Sequence, residues 1–270
     1  MKAVDLALLA EIVESRAGLR LTTDQAYQVE SRLGPLAAAA HPPGLDGLLA
    51  ALRGGADPAL PTAVTEALVD ANTVFFRDRE TFRHLREAVL PELAARRNGP
   101  VRVWSAACGT GQEPYSLAMI AQVQPGLTLD LCASDLSERA LQKARAGIYT
   151  QFEVQRGLPV AELLRSFDKL EDSWRMTAEL RAVVRWRRFN LLDDMTTLGR
   201  FDLILCRYVL GAMTAQSRRT VLASLADALG PGGVLVLGAE EALRDVPDMF
   251  EAAPGGRGLF MIKSRVSGAA

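Results

Sequence analysis

Gly109, Gly111, Glu113 and Asp135 are the residues whose types and spacing most clearly suggest chemistry. The two glycines interrupt VRVWSAACGTGQEPYS where a short apolar run, Val101, Val103 and Trp104, gives way to a segment able to start a helix. Glycines there make a tight turn, their missing side chains let a flat ligand lie against the backbone, and the following helix aims unpaired N–H groups at that ligand. Asp135 comes 24 residues after Gly111, at the end of LDLCAS. A carboxylate in that place can accept both hydroxyls of a ribose, or it can cap the helix begun by LSERAL; its distance from the glycine turn favours the ligand. The G-T-G turn falls short of G-x-G-x-x-G and does not by itself specify a dinucleotide.

Three further side chains carry paired readings. Glu113, in the first turn after the glycines, can answer the helix dipole or bind a cationic group such as an ammonium. Asn190 can read an adenine edge or close a turn. Arg77, after Phe75-Phe76, can snorkel from an apolar anchor or present a planar donor fork to a carboxylate. There is no Ser/His/Asp or Cys/His arrangement. His41 and His84 lie far apart, and Cys108, Cys132 and Cys206 lack C-x-x-C spacing, so no metal site and no disulfide is expected, only buried reduced thiols.

These residues need a frame, and the periodicity supplies one. Residues 1–72 read as helical: Leu6, Leu8, Leu9, Ile12 and Val13 form one apolar face ended by Gly18, Thr22 or Thr23 caps a second helix ended by His-Pro-Pro at 41–43, and short helices follow over 44–52 and 60–70. From residue 73 the chain passes through a helix over TFRHLREAVLPELAARR and then alternates strand 101–105, helix 113–122, strand 128–134 and helix 137–145. Residues 151–190 break this rhythm; Trp174, Met176, Val183, Trp186 and Phe189 interleave with Arg175, Arg181, Arg185, Arg187 and Arg188, which suggests short strands. Strand 202–206, helix 215–229, strand 233–238 and an antiparallel strand 259–263 after Gly255-Gly256 complete an α/β sheet that binds its ligand at the carboxyl ends of its strands.

Composition narrows the function classes. With 49% hydrophobic residues, 23% charged and a net charge of −1, the chain has no global attraction for nucleic acid. The first residues form an amphipathic helix rather than a signal peptide, and no apolar run approaches a membrane span, so a cytoplasmic protein is expected.

Taken together the residues resemble the CheR-type chemotaxis receptor methyltransferases over nearly the whole chain. The resemblance rests on SRL near 31–33, Thr73-x-Phe75-Phe76-Arg77-Asp78, Trp104-Ser105-Ala106-Ala107, Gly111-x-Glu113-Pro114-Tyr115-Ser116, Ser134-Asp135-Leu136, Ala144-x-x-Gly147-x-Tyr149, Phe189-Asn190-Leu191, Phe201-Asp202 with Cys206-Arg207, and Pro231-Gly232-Gly233. It implies a Rossmann-like S-adenosylmethionine methyltransferase sheet at 73–267, an N-terminal helical domain at 1–72 and a small inserted β-subdomain at 167–190. Thr73, Arg77, Gly109, Gly111, Glu113, Asp135, Asn190, Leu191, Arg207 and Tyr208 would then line the cofactor site, with Arg77 and Arg207 the candidates for orienting a carboxylate. The implied activity is methyl esterification of glutamates on chemoreceptor helices by a monomer that inserts in no membrane. A small-carboxylate methyltransferase and a catalytically weakened, cofactor-binding regulator are the alternatives.

Three departures from the family pattern stand out: Ala71 for an Asn, CRYVLGAM for C-R-N-V-L-I-Y-F (Tyr208 for Asn, Ala212 for an aromatic), and no glycine loop of the kind that marks members tethered to a receptor's C-terminal pentapeptide. Independence from such a peptide is the corresponding expectation.

Overall fold

A computed structural model describes residues 2–40, 42–241, 243, 246, 248–255 and 258–263. The chain forms two compact units, Met1–Asp70 with Ala212–Arg218, and Ala71–Gly211 with Arg219–Ala270. The first contains α1 (Ala3–Ala17), α2 (Ala26–Ala39), α3 (Leu45–Gly54) and α4 (Leu60–Leu68). Leu6, Leu9 and Val13 of α1 and Val29, Leu33 and Ala37 of α2 recur at helical spacing, and they share one core with Leu48, Leu49, Leu52, Val64 and Leu68. Gly18 ends α1 with φ 68°, returning its N–H to the Glu14 carbonyl as a left-handed cap. Leu8 and Ile12, expected on the same face, are only partly buried at its margin.

The second unit is the α/β layer. After α5 (Arg79–His84) the helix widens into a π turn over Leu85–Val89, just before Pro91, which has no N–H to give, and resumes as α6 (Leu90–Ala95). Then follow β1 (Val101–Ala106), α7 (Gln112–Val123), β2 (Leu129–Asp135), α8 (Glu138–Ala146), β3 (Ile148–Thr150), α9 (Gln151–Gln155) and α10 (Val160–Ser166). The rest is β4 (Phe167–Lys169), β5 (Ser173–Met176), α11 (Ala178–Val183), β6 (Val184–Arg188), β7 (Phe201–Cys206), α12 (Ala215–Ala228), β8 (Leu229–Val236), β9 (Phe250–Ala252) and β10 (Leu259–Ile262).

The main sheet runs in the order β6-β2-β1-β7-β8-β10-β9. Its first five strands are parallel, and β10 and β9 are antiparallel additions. Strand order reverses between β1 and β7, where Ala106 pairs with Cys206, and this is the switch point at which a Rossmann-like sheet opens a crevice at its carboxyl edge. Both strands are almost wholly buried, the mark of parallel strands covered on two faces.

One expectation needs correction. The small sheet is not built from 167–190 alone: β4 and β5 pair with β3, ordered β3-β5-β4, while β6 joins the main sheet beside β2. Val184 is buried and continues the apolar strand pattern of β2, whereas the aromatic contacts that build the small sheet come from further up the chain. Phe75, Tyr149 and Phe167 meet edge to face, with centroids 5.1 to 6.3 Å apart. The antiparallel final strand forms as expected, beside β8 and in a hairpin with β9, a three-residue strand too short to read from periodicity. Gly256 and residues 264–267, which the sequence placed in that hairpin and at the end of the domain, lie outside the described residues.

Candidate functional site

Four non-glycine residues have positive φ among those described, and all four sit around the carboxyl ends of β1 and β7: Phe76 (49°), Asp78 (60°), Ala107 (57°) and Tyr208 (62°). Each such conformation costs about 1–3 kcal/mol and persists only where its surroundings over-determine it. The strain brackets Arg77 on both sides and follows Arg207 directly.

Arg207 is the centre of a buried ionic cluster. Its side chain is 1% exposed. One terminal nitrogen donates to Glu113 Oε2 at 3.0 Å; the other donates to the Arg77 carbonyl at 2.8 Å and to Asp78 Oδ2 at 2.7 Å. The second oxygen of Glu113 accepts from the Ser105 hydroxyl of β1 at 2.8 Å. Burial opposes charge on Arg207, but Glu113 and Asp78 outweigh it and raise the guanidinium above its ordinary pKa. Its Nε is buried with no partner among the described residues, an orphaned donor of the kind that usually marks a functional wall or an ordered water. The dipole and ammonium readings of Glu113 both omitted this arginine.

Asp78 occupies the N-cap position of α5 but caps nothing. Its carboxylate turns instead to Arg207 and to the Tyr208 hydroxyl. That phenol is held above its usual pKa by burial, then by its hydrogen bond to Asp78 and that residue's charge, against the opposing pull of Arg207 and Arg77, so it stays a donor. The Arg77 guanidinium carbon lies over the Tyr208 ring, 3.3 Å from the centroid, and its side chain makes no hydrogen bond or ion pair among the described residues. Both sequence readings, snorkelling from an apolar anchor and presenting a fork, are compatible with this stacked geometry. The segment is pinned behind it by Phe75 in the core and by Phe76, whose N–H donates to Ser116 of α7 at 3.0 Å.

The glycine turn is real, and packing demands it. Gly109 (φ 57°) and Gly111 (φ 94°) are left-handed. A Cβ on Gly109 would stand 2.5 Å from the Ala71 carbonyl and 3.3 Å from Thr73 Cγ2, and one on Gly111 would meet Ala144 and Trp186 at 2.8 and 3.0 Å. Asp135, buried at the end of β2, holds the same turn: its carboxylate accepts the N–H of Gly109 at 2.8 Å and that of Ser137 at 2.9 Å. The cap of α8 is Ser137, whose hydroxyl accepts from Ala140, so the cap reading of Asp135 passes to its neighbour. Asn190 folds an Asx turn, accepting the Leu192 N–H at 3.1 Å, and Leu191 is buried beside it. Tyr149 closes the loop from below by donating to the Thr110 carbonyl.

Glu241 escaped the sequence reading. Its carboxylate accepts three backbone N–H groups, from Tyr208 and Gly238 at 2.8 Å and from Gly211 at 3.2 Å, and so ties the turn after β7 to the end of β8. Nothing in an isolated Glu-Glu pair at 240–241 signals this; only the sheet order brings it there. The thiols of Cys108 and Cys206 at these strand ends are driven far above the usual range by burial, then by the neighbouring carboxylates of Asp135 and Glu113 for Cys108, and of Glu241 and Glu113 for Cys206. Cys132 is half-buried and raised mainly by burial. Among the described residues no group of three or more metal-ligating side chains exists.

The donor set suits a zwitterionic nucleoside ligand. Asp135, at the end of β2 beside the glycine turn, could accept from a diol, and the Arg77 guanidinium, stacked on Tyr208, makes no hydrogen bond or ion pair with a described residue. Comparison with known proteins agrees. Residues 71–259 match the family described as "CheR methyltransferase, SAM binding domain". The chain is 37% identical to chemotaxis protein methyltransferase 1 of Pseudomonas aeruginosa over 93% of its length and 96% of that protein's. It is 36% identical to the chemotaxis protein methyltransferase of Vibrio parahaemolyticus over 90% of both chains, and 35% identical to chemotaxis protein methyltransferase Cher2 of Pseudomonas putida over 93% and 96%. The chain is therefore a member of the CheR methyltransferase family, a Rossmann-like α/β protein that binds S-adenosylmethionine.

Proposed function

We propose that this protein transfers the methyl group of S-adenosylmethionine to glutamate side chains of chemoreceptors, forming methyl esters in sensory adaptation. The observation that carries the reading is Arg77: a guanidinium stacked on an aromatic ring, its side chain making no hydrogen bond or ion pair among the described residues, beside a cluster in which Arg207 already serves Glu113 and Asp78. Such a fork recognises a carboxylate in two-point fashion.

The bound cofactor supplies a methyl sulfonium that is already electrophilic. A glutamate acceptor, with a pKa near ~4.3, is already ionised at neutral pH, so no general base is required. The nucleophile belongs to the substrate, which accounts for the lack of a triad. What remains for the chain is placement and exclusion of water. Asp135, Asn190 and Leu191 would hold the nucleoside, and Thr73, Gly109 and Gly111 would form the backbone turn beside it. Glu113, Arg207 and Tyr208 would fix Arg77, which orients the carboxylate. Arg207 has both terminal nitrogens committed to Glu113, Asp78 and the Arg77 carbonyl, which supports Arg77 as the residue in contact with substrate.

The reading includes cytoplasmic receptor helices as partners, recognised without a C-terminal pentapeptide, and a monomeric, cytoplasmic enzyme. Among the described residues no helix is long and apolar enough to cross a membrane. Arg175, Arg185, Arg187 and Arg188 are exposed, Arg185 against Asp130 and Arg187 over Phe189, and give an acidic helix a charged surface to meet. Arg181 is spent internally, donating to the Met176 carbonyl.

Labelled S-adenosylmethionine, the protein and chemoreceptor-containing membranes test this. Label should enter the receptor band and leave as methanol under mild alkali. Alkali-stable label, or label confined to small molecules, would rule the glutamyl ester out.

A further inference from the structure

We propose that Tyr208 and Glu241 are positioning residues that set the plane of Arg77, the ring acting as platform and the carboxylate as the clamp that keeps the ring in place. The inference rests on the functional reading above, and it concerns this chain's own Tyr208, which stands where the family resemblance leads one to expect an asparagine.

Asparagine tolerates a left-handed backbone; a bulky aromatic does so only under constraint. Tyr208 is left-handed (φ 62°), and two independent constraints hold it. Its N–H is bound by Glu241 Oε2 at 2.8 Å, the same oxygen that receives Gly238 N–H, while Oε1 takes Gly211 N–H from the far side of the turn. At the other end its hydroxyl donates to Asp78, the residue after Arg77. The ring edge lies 3.0 Å from where a Cβ on Gly238 would stand, so a side chain there would press on the ring. Over this fixed ring the Arg77 guanidinium is laid at 3.3 Å, with no hydrogen bond or ion pair to a described residue to set its direction.

An arginine side chain free in solvent must lose several rotamers when it binds. Stacked on a ring that the backbone cannot release, it is ordered beforehand, and its fork faces a carboxylate in one plane. Asp78 links both partners: it is bonded to Tyr208 and, through Arg207, to Glu113. Loss of Glu241 would let the 207–211 turn relax and carry the platform away from Arg77, without touching the ligand-binding groups themselves.

The test uses the full chain labelled with 15N-arginine. The Arg77 Nε–Hε resonance, assigned by its loss in Arg77→Lys, should be shifted upfield by the ring current of Tyr208. It should move to the position of a solvated arginine in Tyr208→Leu and in Glu241→Gln, and stay in Tyr208→Phe, which keeps the ring. Methyl transfer should fall by about tenfold or more in kcat in Tyr208→Leu and Glu241→Gln, with the Arg77→Lys/Tyr208→Leu double variant no slower than its slower parent. An unmoved Arg77 resonance in Glu241→Gln, or kinetic losses that multiply, would overturn the proposal. If Tyr208→Leu fails to fold, the Glu241→Gln and Tyr208→Phe spectra decide it. If the wild-type chain esterifies no receptor, the functional reading fails, and the resonance shifts still decide whether Tyr208 and Glu241 position Arg77.

Discussion

Replacing Arg207 by methionine should destabilise the α/β unit strongly, because it strands a buried carboxylate. The side chains of Arg207 and Glu113 are 1% and 10% exposed, and that of Asp78 is 27% exposed. Methionine keeps an unbranched stem like that of arginine but ends near the Nε position; what goes is the guanidinium, its charge and three charge-assisted hydrogen bonds. Glu113 then keeps only the Ser105 hydroxyl as a donor. Removing one partner of a buried pair costs about 3–5 kcal/mol. At about 2–4 °C per kcal/mol for a unit of this size, the melting temperature should fall by roughly 6–20 °C. Arg207→Lys keeps the charge but cannot reach all three acceptors at once, and should lose about 1.5–3 kcal/mol. The double variant Arg207→Met/Glu113→Gln removes the stranded charge and should recover roughly 1–3 kcal/mol relative to the sum of the single changes. Differential scanning calorimetry reads the wild type, Arg207→Met, Arg207→Lys, Glu113→Gln and the double variant. A melting point for Arg207→Met within about 3 °C of the wild type, or strict additivity in the double variant, would refute the reasoning that the pair is buried and coupled.

Three other outcomes follow from the same geometry. Gly109→Ala, which drives a Cβ to 2.5 Å from the Ala71 carbonyl, should destabilise by well over the ~1–2 kcal/mol that a left-handed alanine costs, whereas Gly126→Ala, with φ 78° and nothing within 4 Å, should cost only that amount; equal denaturation midpoints would contradict the packing argument. The buried thiols of Cys108 and Cys206 and the phenol of Tyr149 are raised above their unfolded pKa values by burial first, so on raising pH the unfolded chain loses protons before the folded one. Stability should therefore hold at neutral pH and decline above about 8.5 for the thiols and about 10 for the phenol, by up to about 1.4 kcal/mol per pH unit for each group, and a urea midpoint flat to pH 10.5 would exclude it. Receptor methylation should weaken as ionic strength rises if Arg175, Arg185, Arg187 and Arg188 meet acidic helices, since such contacts are screened over about 8 Å at physiological salt; indifference of the labelled-membrane assay to salt and to charge reversal across 175–188 would end that docking model.

Much of the fold was legible because each long element carries its own period. The helices of 1–72 and the strand–helix alternation from Val101 to Ala146 follow from apolar spacing and glycine punctuation, and the structure moves their limits by a residue or two. The small sheet was less legible, since β3 and β4 are three residues each and find their partner β5 through the Phe75, Tyr149 and Phe167 contacts rather than through any local pattern. The same holds at the site. Gly109, Gly111 and Asp135 announce themselves by spacing, yet no local signal shows that Ala71, Ala144 and Trp186 pack against the two glycines. Asp78 looks like an ordinary helix cap, Ser105 and Glu241 look like nothing in particular, and all three gain meaning only when parallel strands 100 residues apart in sequence are laid side by side.

The most direct test of the account is calorimetric titration of S-adenosylhomocysteine into the wild type, Asp135→Ala and Ser137→Ala. Asp135 contacts the glycine turn and Ser137 caps α8, so the pair separates a ligand-facing carboxylate from a structural cap. The account predicts saturable one-to-one binding by the wild type, a loss of about 1–3 kcal/mol in Asp135→Ala, and an affinity close to wild type in Ser137→Ala. Unchanged affinity in a folded Asp135→Ala protein would contradict the placement of the cofactor at the carboxyl ends of β1 and β2.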